Sequence, residues 1–403
     1  MGDHRPKILV LSRNYPNRAV PLLGVWVEGL VKHCLDRCDL KVISVVPYCP
    51  PLPGLGTQFT RFRQVEHARS ADGIEILHPR FLLAPGYRFH RFEAASYYGS
   101  VSGLVDRLRE RFPFEIIHAH FSYPDGCVAA KLGARYGVPV VVTEHAPWRP
   151  WMDEHPAVLR QALAAYEHWS FLVGVGTNVR EEVRHFAGDS PKLRVIPLGV
   201  DGSVFTLGNG GMSFRPRQIL FAGVIRHVKG LDILLKAMRL LADRNDPATL
   251  VVVGESFYPK YQRAFQDARL LSEELKLQDR VEFAGKKTQA ELARTMRDSA
   301  VLVMPSRKES LGLVLVEALA CGTPVVATRC GGPEDIVTEE TGLLVPPDDP
   351  EALATAVQQV LDHRDEYSPA TLREYALGKF AWQHVAAQYI ELYQDALALG
   401  VRQ

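Results

Sequence analysis

Two carboxylates eight residues apart, Glu309 and Glu317, stand in the segment from Pro305 to Pro324, which reads PSRKESLGLVLVEALACGTP. From Leu311 to Ala320 the segment is apolar all round, which predicts a helix buried on every side. A lone acid inside such a helix, Glu317, is costly unless something hydrogen-bonds it. Glu309 stands just before the helix, where Gly312 lets the backbone approach a guest, and N–H groups at a helix start favour anions. Two acids beside an anion-ready helix start suit a polyhydroxyl ligand that carries phosphate. The plainer reading is a buried crossover whose acids pair with Arg or Lys. It explains the apolar run, but not the crowding of Glu309, Ser310 and Gly312 at one helix entrance.

A second group lies upstream. After the strand-like ILFAG comes Val224-Ile225-Arg226-His227-Val228-Lys229-Gly230, leading into a helical pattern with apolar residues at Leu231, Leu234, Leu235, Met238 and Leu241. Two cations at a strand-to-helix turn are placed to neutralise a diphosphate and the charge of a departing nucleotide. A solvated surface loop is the bland alternative, and a K-G pair alone occurs widely by chance. No D-x-D occurs anywhere in the chain, so no divalent ion bridging carboxylates to a diphosphate is indicated. Neither a metal nor a cofactor is expected.

The elements that must position these residues are short β-rich runs alternating with helical periods, the pattern of parallel sheets covered by helices. In the first half the runs begin at Lys7, Lys41, Ile74, Phe114, Pro139, Phe171 and Leu193; in the second, at Gln218, Thr249, Arg280, Ala300, Pro324 and Leu343. Turn chemistry at Leu198–Gly202 and Gly208–Gly211 separates the halves. The expected fold class is α/β, with two Rossmann-like doubly wound domains facing across a cleft. The expected boundaries are an N-terminal domain over 1–199, a linker over 200–216, a C-terminal domain over 217–374 and a helical tail over 375–403. The aromatic tail is expected to dock on its own domain or on the first. In such sheets ligands bind beyond the carboxyl ends of the strands.

Bulk properties exclude several classes. A chain of 403 residues exceeds what one core usually supports, and 23% charged with 47% apolar residues is ordinary globular composition. A net charge of +1 gives no global field for nucleic acid, although residues 1–200 hold 24 basic against 19 acidic residues and 201–403 hold 23 against 27. No apolar run approaches the roughly 18–20 residues of a bilayer span, and the N-terminal run is too short for a signal peptide. The six cysteines form no C-x-x-C pair, so they read as reduced packing residues. The expected location is cytoplasmic.

The succession of FAG-x5-KG, VVGE, EFAG, PS-x2-ES-x-GL-x3-EA-x-ACGTPVVAT and GG-x-E resembles the retaining glycosyltransferases of family 4, which have the GT-B fold. The likeness is strong over about 218–361 and fainter over 7–198. It implies a metal-independent hexosyltransferase that uses a nucleotide-sugar as substrate. By resemblance, Glu309 would hold the transferred sugar's hydroxyls, Glu317 the ribose, and Lys229 the diphosphate. The amides of Ser310, Leu311, Gly312 and Leu313 would bind phosphate and sugar, and Gly285 the nucleobase through its backbone. Gly24, in PLLGVWVE, would bring an amide to the donor phosphate, and His145, in VVTEHAPW, would face the donor sugar. Glu309, Lys229 and His145 are thus the catalytic candidates, with His120 and Asp125 on the acceptor side. The family usually places Arg where this chain has Val224; Arg226 is the proposed replacement.

The acceptor expected from the resemblance is a glycan, a lipid-linked molecule or a small molecule. The segment Arg80–Phe92, RFLLAPGYRFHRF, mixes basic and aromatic residues and suits peripheral contact with anionic lipid at the inner face of a membrane, or inward packing of its aromatics. The alternatives are a GT-B phosphorylase or epimerase, and a non-catalytic protein that binds sugar nucleotides.

Overall fold

The computed structural model describes residues 4–50, 57–83, 87–149, 151–208, 214–255 and 259–400. The turn residues Asn209–Gly211, and Ala84, Pro85 and Gly86 of the basic aromatic segment, lie outside the described residues. The chain divides into two compact units. One comprises residues 1–197 with 385–403, and the other residues 198–384.

The first unit is built on an eight-stranded sheet. Its order is Leu193–Val195, Phe171–Gly174, Val140–Glu144, Ile116–His120, Lys7–Leu11, Asp39–Ile43, Ile74–Leu77 and Ala68–Ala71. All neighbours are parallel except the last pair, so an antiparallel edge strand caps the sheet. The inner strands are buried and largely apolar, as in KILVL at Lys7–Leu11 and FLVG at Phe171–Gly174, because helices cover both faces and little of either is left for water. Val46–Tyr48 and Arg80–Leu82 form a separate parallel pair, an arrangement the strand pattern did not reveal.

The second unit carries a six-stranded, wholly parallel sheet. Its order is Val281–Gly285, Thr249–Val253, Arg215–Ala222, Ser299–Met304, Val325–Thr328 and Gly342–Val345. Helix Leu231–Asp243 buries Leu231, Leu234, Leu235, Met238 and Leu241 against it, each worth about 1.5–3 kcal/mol of transfer free energy. Two doubly wound α/β units with parallel sheets match the expected fold class.

The tail is not one helix from Tyr375. It is two, Pro369–Phe380 and Trp382–Leu399, broken at extended Ala381, which bridges to Val200. Val200 donates to the Phe380 carbonyl at 2.7 Å, and a side chain at Gly199 would strike the Trp382 ring. Arg373 fastens the first helix by donating to the carbonyls of Phe205, Ala320 and Gly202.

The second helix belongs to the first unit from Val385 onward and buries Tyr389 and Tyr393 there. The Tyr393 hydroxyl bonds His118 Nδ1 at 2.7 Å, His118 Nε2 meets Thr143 Oγ1 at 2.8 Å, and that oxygen also meets the Tyr389 hydroxyl at 2.9 Å. Tyr393→Phe would strand one nitrogen of a fully buried histidine. The expected cost is about 1–3 kcal/mol, read as a lower urea midpoint; an unchanged midpoint would mean that His118 finds another partner.

Candidate active site

In the second unit the expected residues gather where the sheet changes its direction of growth. Arg215–Ala222 and Ser299–Met304 are neighbours, but the chain leaves the first toward one edge and the second toward the other. The loops after two such strands diverge and leave a crevice at their carboxyl ends. One loop carries Lys229 and the other Glu309.

Their backbones touch. Gly230 has φ +68°, and a Cβ there would lie 1.8 Å from the Pro305 carbonyl oxygen, so no other residue fits. Arg307 N–H donates to the Val228 carbonyl at 2.8 Å. On the far side, Gly332 donates to the Glu309 carbonyl at 3.2 Å, and a Cβ on Gly332 would lie 2.2 Å from Leu311 Cα.

Within this frame Lys229 Nζ donates to Glu309 Oε1 at 2.6 Å, and Ser306 Oγ donates to the same oxygen at 2.7 Å. The plainer expectation, an acid paired with a basic residue, therefore holds for Glu309. Gly312, at φ +92°, caps helix Leu313–Ala320; Leu311 is buried, while Ser310, Gly312 and Leu313 are half-buried at the helix entrance. The first amides of that helix have no acceptor within it.

Glu317 stands one turn inside. No side-chain partner meets its carboxyl among the described residues, and burial pushes it up to about 8. Gly285 adopts φ +65°, and its carbonyl already accepts from Gly254 N–H at 2.9 Å. Arg226 is exposed and extended, and Val224 is exposed.

The first unit has its own cluster, also where its sheet reverses, around Lys7–Leu11 and Ile116–His120. Gly24, at φ +78°, caps helix Val25–Cys34 and lies against the turn after the first strand, where a Cβ would come 2.0 Å from Asn14 O. His120 Nδ1 meets His145 Nε2 at 2.9 Å with the rings stacked; His120 is fully buried and His145 half-buried. Burial pulls the His118 and His145 imidazoles down to about 3 and holds His120 well below its usual range, so all three are neutral at pH 7.

Asp125 is buried and accepts from Arg13 N–H at 2.7 Å. Burial pushes its carboxyl up to about 7, against the pull of Arg13. Arg13 also donates to buried Glu93 at 2.6 Å, and His90 pairs with the same carboxylate. In the basic aromatic segment Phe81 is buried, whereas Leu82, Phe89 and Phe92 are about half exposed, so its aromatics do not all pack inward.

Comparison with known proteins agrees with this architecture. Residues 213–377 match the family described as glycosyl transferases group 1, and residues 25–203 match glycosyltransferase family 4. The chain is 30% identical over 427 aligned positions to a D-inositol 3-phosphate glycosyltransferase of Jonesia denitrificans, covering 95% of this chain and 97% of that one. A protein of the same name from Arthrobacter sp. is 32% identical, with coverages of 74% and 75%. This chain belongs to glycosyltransferase family 4.

Solved structures share the fold of this glycosyltransferase at lower identity. The sucrose-phosphate synthase of Thermosynechococcus elongatus superposes with TM-score 0.79 at 21% identity, over 98% of this chain and 100% of that one. Anabaena HepE in complex with UDP-glucose does so with TM-score 0.73 at 20% identity, over 96% and 99%.

Two residues of the glycosyltransferase escaped the sequence reading. Glu144, adjacent to His145, is buried and accepts from the amides of Ser122, His145 and Ala146 and from Trp148 Nε1, at 2.9 to 3.2 Å. A buried acid at a strand end beside a histidine was the available signal. Arg307 had none, because a charged residue in a loop ordinarily reads as solvated.

The raised Glu317 carboxyl predicts a pH effect with a definite sign. The folded state keeps a proton that the unfolded state loses near pH 4.5, so this stabilisation is fully present below about 4.5. It is lost as pH rises toward about 8. Glu317→Gln should therefore gain in melting temperature relative to the parent protein between pH 5 and 8. A difference that does not change across that range would contradict the shift.

Proposed function

We propose that this glycosyltransferase moves a hexosyl group from a nucleoside diphosphate sugar to an acceptor hydroxyl, with retention at the anomeric carbon and without a metal ion. The observation that carries the reading is the Lys229–Glu309 contact at the crevice of the second sheet, beside a half-buried helix start. A diphosphate entering there offers Lys229 more negative charge than one carboxylate does. Its ammonium transfers to the phosphates, and Glu309 is released to hydrogen-bond the sugar hydroxyls. The amides of Ser310 to Leu313 add donors for phosphate and sugar. Glu317, neutral at pH 7, can both donate to and accept from ribose hydroxyls.

In the reaction the bond from the anomeric carbon to the leaving phosphate breaks, and one to the acceptor oxygen forms on the same face. The leaving phosphate takes the acceptor's proton, yielding the glycoside and a nucleoside diphosphate. Lys229 and the helix start stabilise the charge that develops on that phosphate. Retention by this route fits a Glu309 side chain engaged by Lys229 and Ser306 instead of poised as a nucleophile. Gly24 and His145 of the first unit serve the donor, and His120 and Asp125 the acceptor side.

A UDP-hexose is the first donor to try, because HepE, which shares the fold, is described with UDP-glucose. D-inositol 3-phosphate is the first acceptor, after the name of the relatives. Incubating both with enzyme and excess EDTA should give a product with the donor's anomeric configuration by NMR. Lys229→Ala should lower kcat/KM by about 10²–10³-fold, the typical effect of removing one transition-state donor. An inverted product, or activity only with added Mg²⁺ or Mn²⁺, would overturn the reading.

A further inference from the structure

Lys229 is bracketed by one side chain from the opposing loop. Arg307 Nη1 donates to the His227 carbonyl at 2.5 Å, two residues before Lys229. Nη1 and Nη2 form a fork onto Asp232 at 2.9 and 2.7 Å, three residues after it. Nε donates to Asp348 at 2.7 Å, and the Arg307 amide holds the Val228 carbonyl. The guanidinium side chain is only 19% exposed.

This exceeds an ordinary surface ion pair, which is worth little because two long side chains must be immobilised in water. Here the fork onto a carboxylate is bidentate, and a further donor pins main chain. Arg307 also lies two residues before Glu309, so the side chain that grips the Lys229 turn is fixed to the segment bearing the lysine's partner. Asp232 in turn occupies the first turn of its helix, where an acid is favoured by the helix dipole.

We propose that Arg307, with Asp232, is a positioning residue of the donor site, holding the Lys229 turn at the separation from Glu309 at which the ammonium passes from carboxylate to diphosphate. A shorter or uncharged side chain at 307 leaves the turn anchored only by backbone, and Lys229 then samples positions that miss the phosphate. The effect falls on the second phosphate of a ligand and spares the nucleoside. The inference rests on the reading of Lys229 as the diphosphate ligand.

The test is calorimetric binding of UDP and of UMP to the full chain at one salt concentration, with Arg307→Ala, Asp232→Asn, Lys229→Ala and the Lys229→Ala/Arg307→Ala pair. UDP affinity should fall about tenfold in Arg307→Ala, consistent with lost hydrogen bonds to charged groups, while UMP affinity stays within about twofold. Asp232→Asn, which keeps the side-chain shape, should fall in the same direction if Arg307→Ala proves too unstable to purify. The double variant should bind UDP no worse than Lys229→Ala alone, because the two act as one unit. Unchanged UDP affinity, equal loss for UDP and UMP, or full additivity in the double variant would each overturn the inference while leaving the role of Lys229 standing. If Lys229→Ala itself binds UDP normally, the donor reading fails and the inference with it.

Discussion

The main-chain contact between Gly230 and Pro305 governs the second unit's site. Two loops that leave neighbouring strands in opposite directions would ordinarily part, and they meet here because position 230 has no side chain. That contact sets the distance over which Lys229 reaches Glu309, and Arg307 reinforces it from both sides of the lysine. Polar groups are held at the crevice by backbone packing first and by charge second. A charge-only arrangement would lose much of its strength to screening and to side-chain entropy.

Burial sets protonation throughout the two sites. His118, His120 and His145 are kept neutral, and Glu317 is kept largely protonated at pH 7, by desolvation; His118 and His120 are fully buried, His145 and Glu317 half-buried. A neutral imidazole or carboxyl offers both a donor and an acceptor, which suits hydroxyl-rich ligands. The Lys229–Glu309 pair sets an acidic side chain against a basic one at the crevice, where a phosphate would be recognised. Glu144 shows the other way to bury an acid, by surrounding it with three amides and an indole. It fixes the turn that presents His145.

At Val224 the resemblance leads one to expect arginine. Val224 is exposed two residues beyond the strand Arg215–Ala222, and Arg226 follows it in extended conformation, also exposed. At the crevice, Gly230 and Gly332 allow backbone approaches that a side chain would block, and Gly312 adopts φ +92° against the Met304 side chain.

The alternation of apolar strands and amphipathic helices determined the two doubly wound sheets, because a strand covered on both faces must be apolar and a helix on a sheet must be apolar on one side. The crowding of Glu309, Ser310 and Gly312 likewise marked one helix entrance, and Lys229-Gly230 a second, because their order along the chain fitted the motifs around them. Tertiary structure alone decided that Lys229 pairs with Glu309 across 80 residues of sequence while the Glu317 carboxyl meets no side-chain partner among the described residues. It alone broke the tail at Ala381, gave Tyr389 and Tyr393 to the first unit, and turned Arg307 from a loop charge into a clamp. These outcomes rest on which strands lie side by side, and hydrophobic periodicity, being a property of short windows, carries no record of strand order.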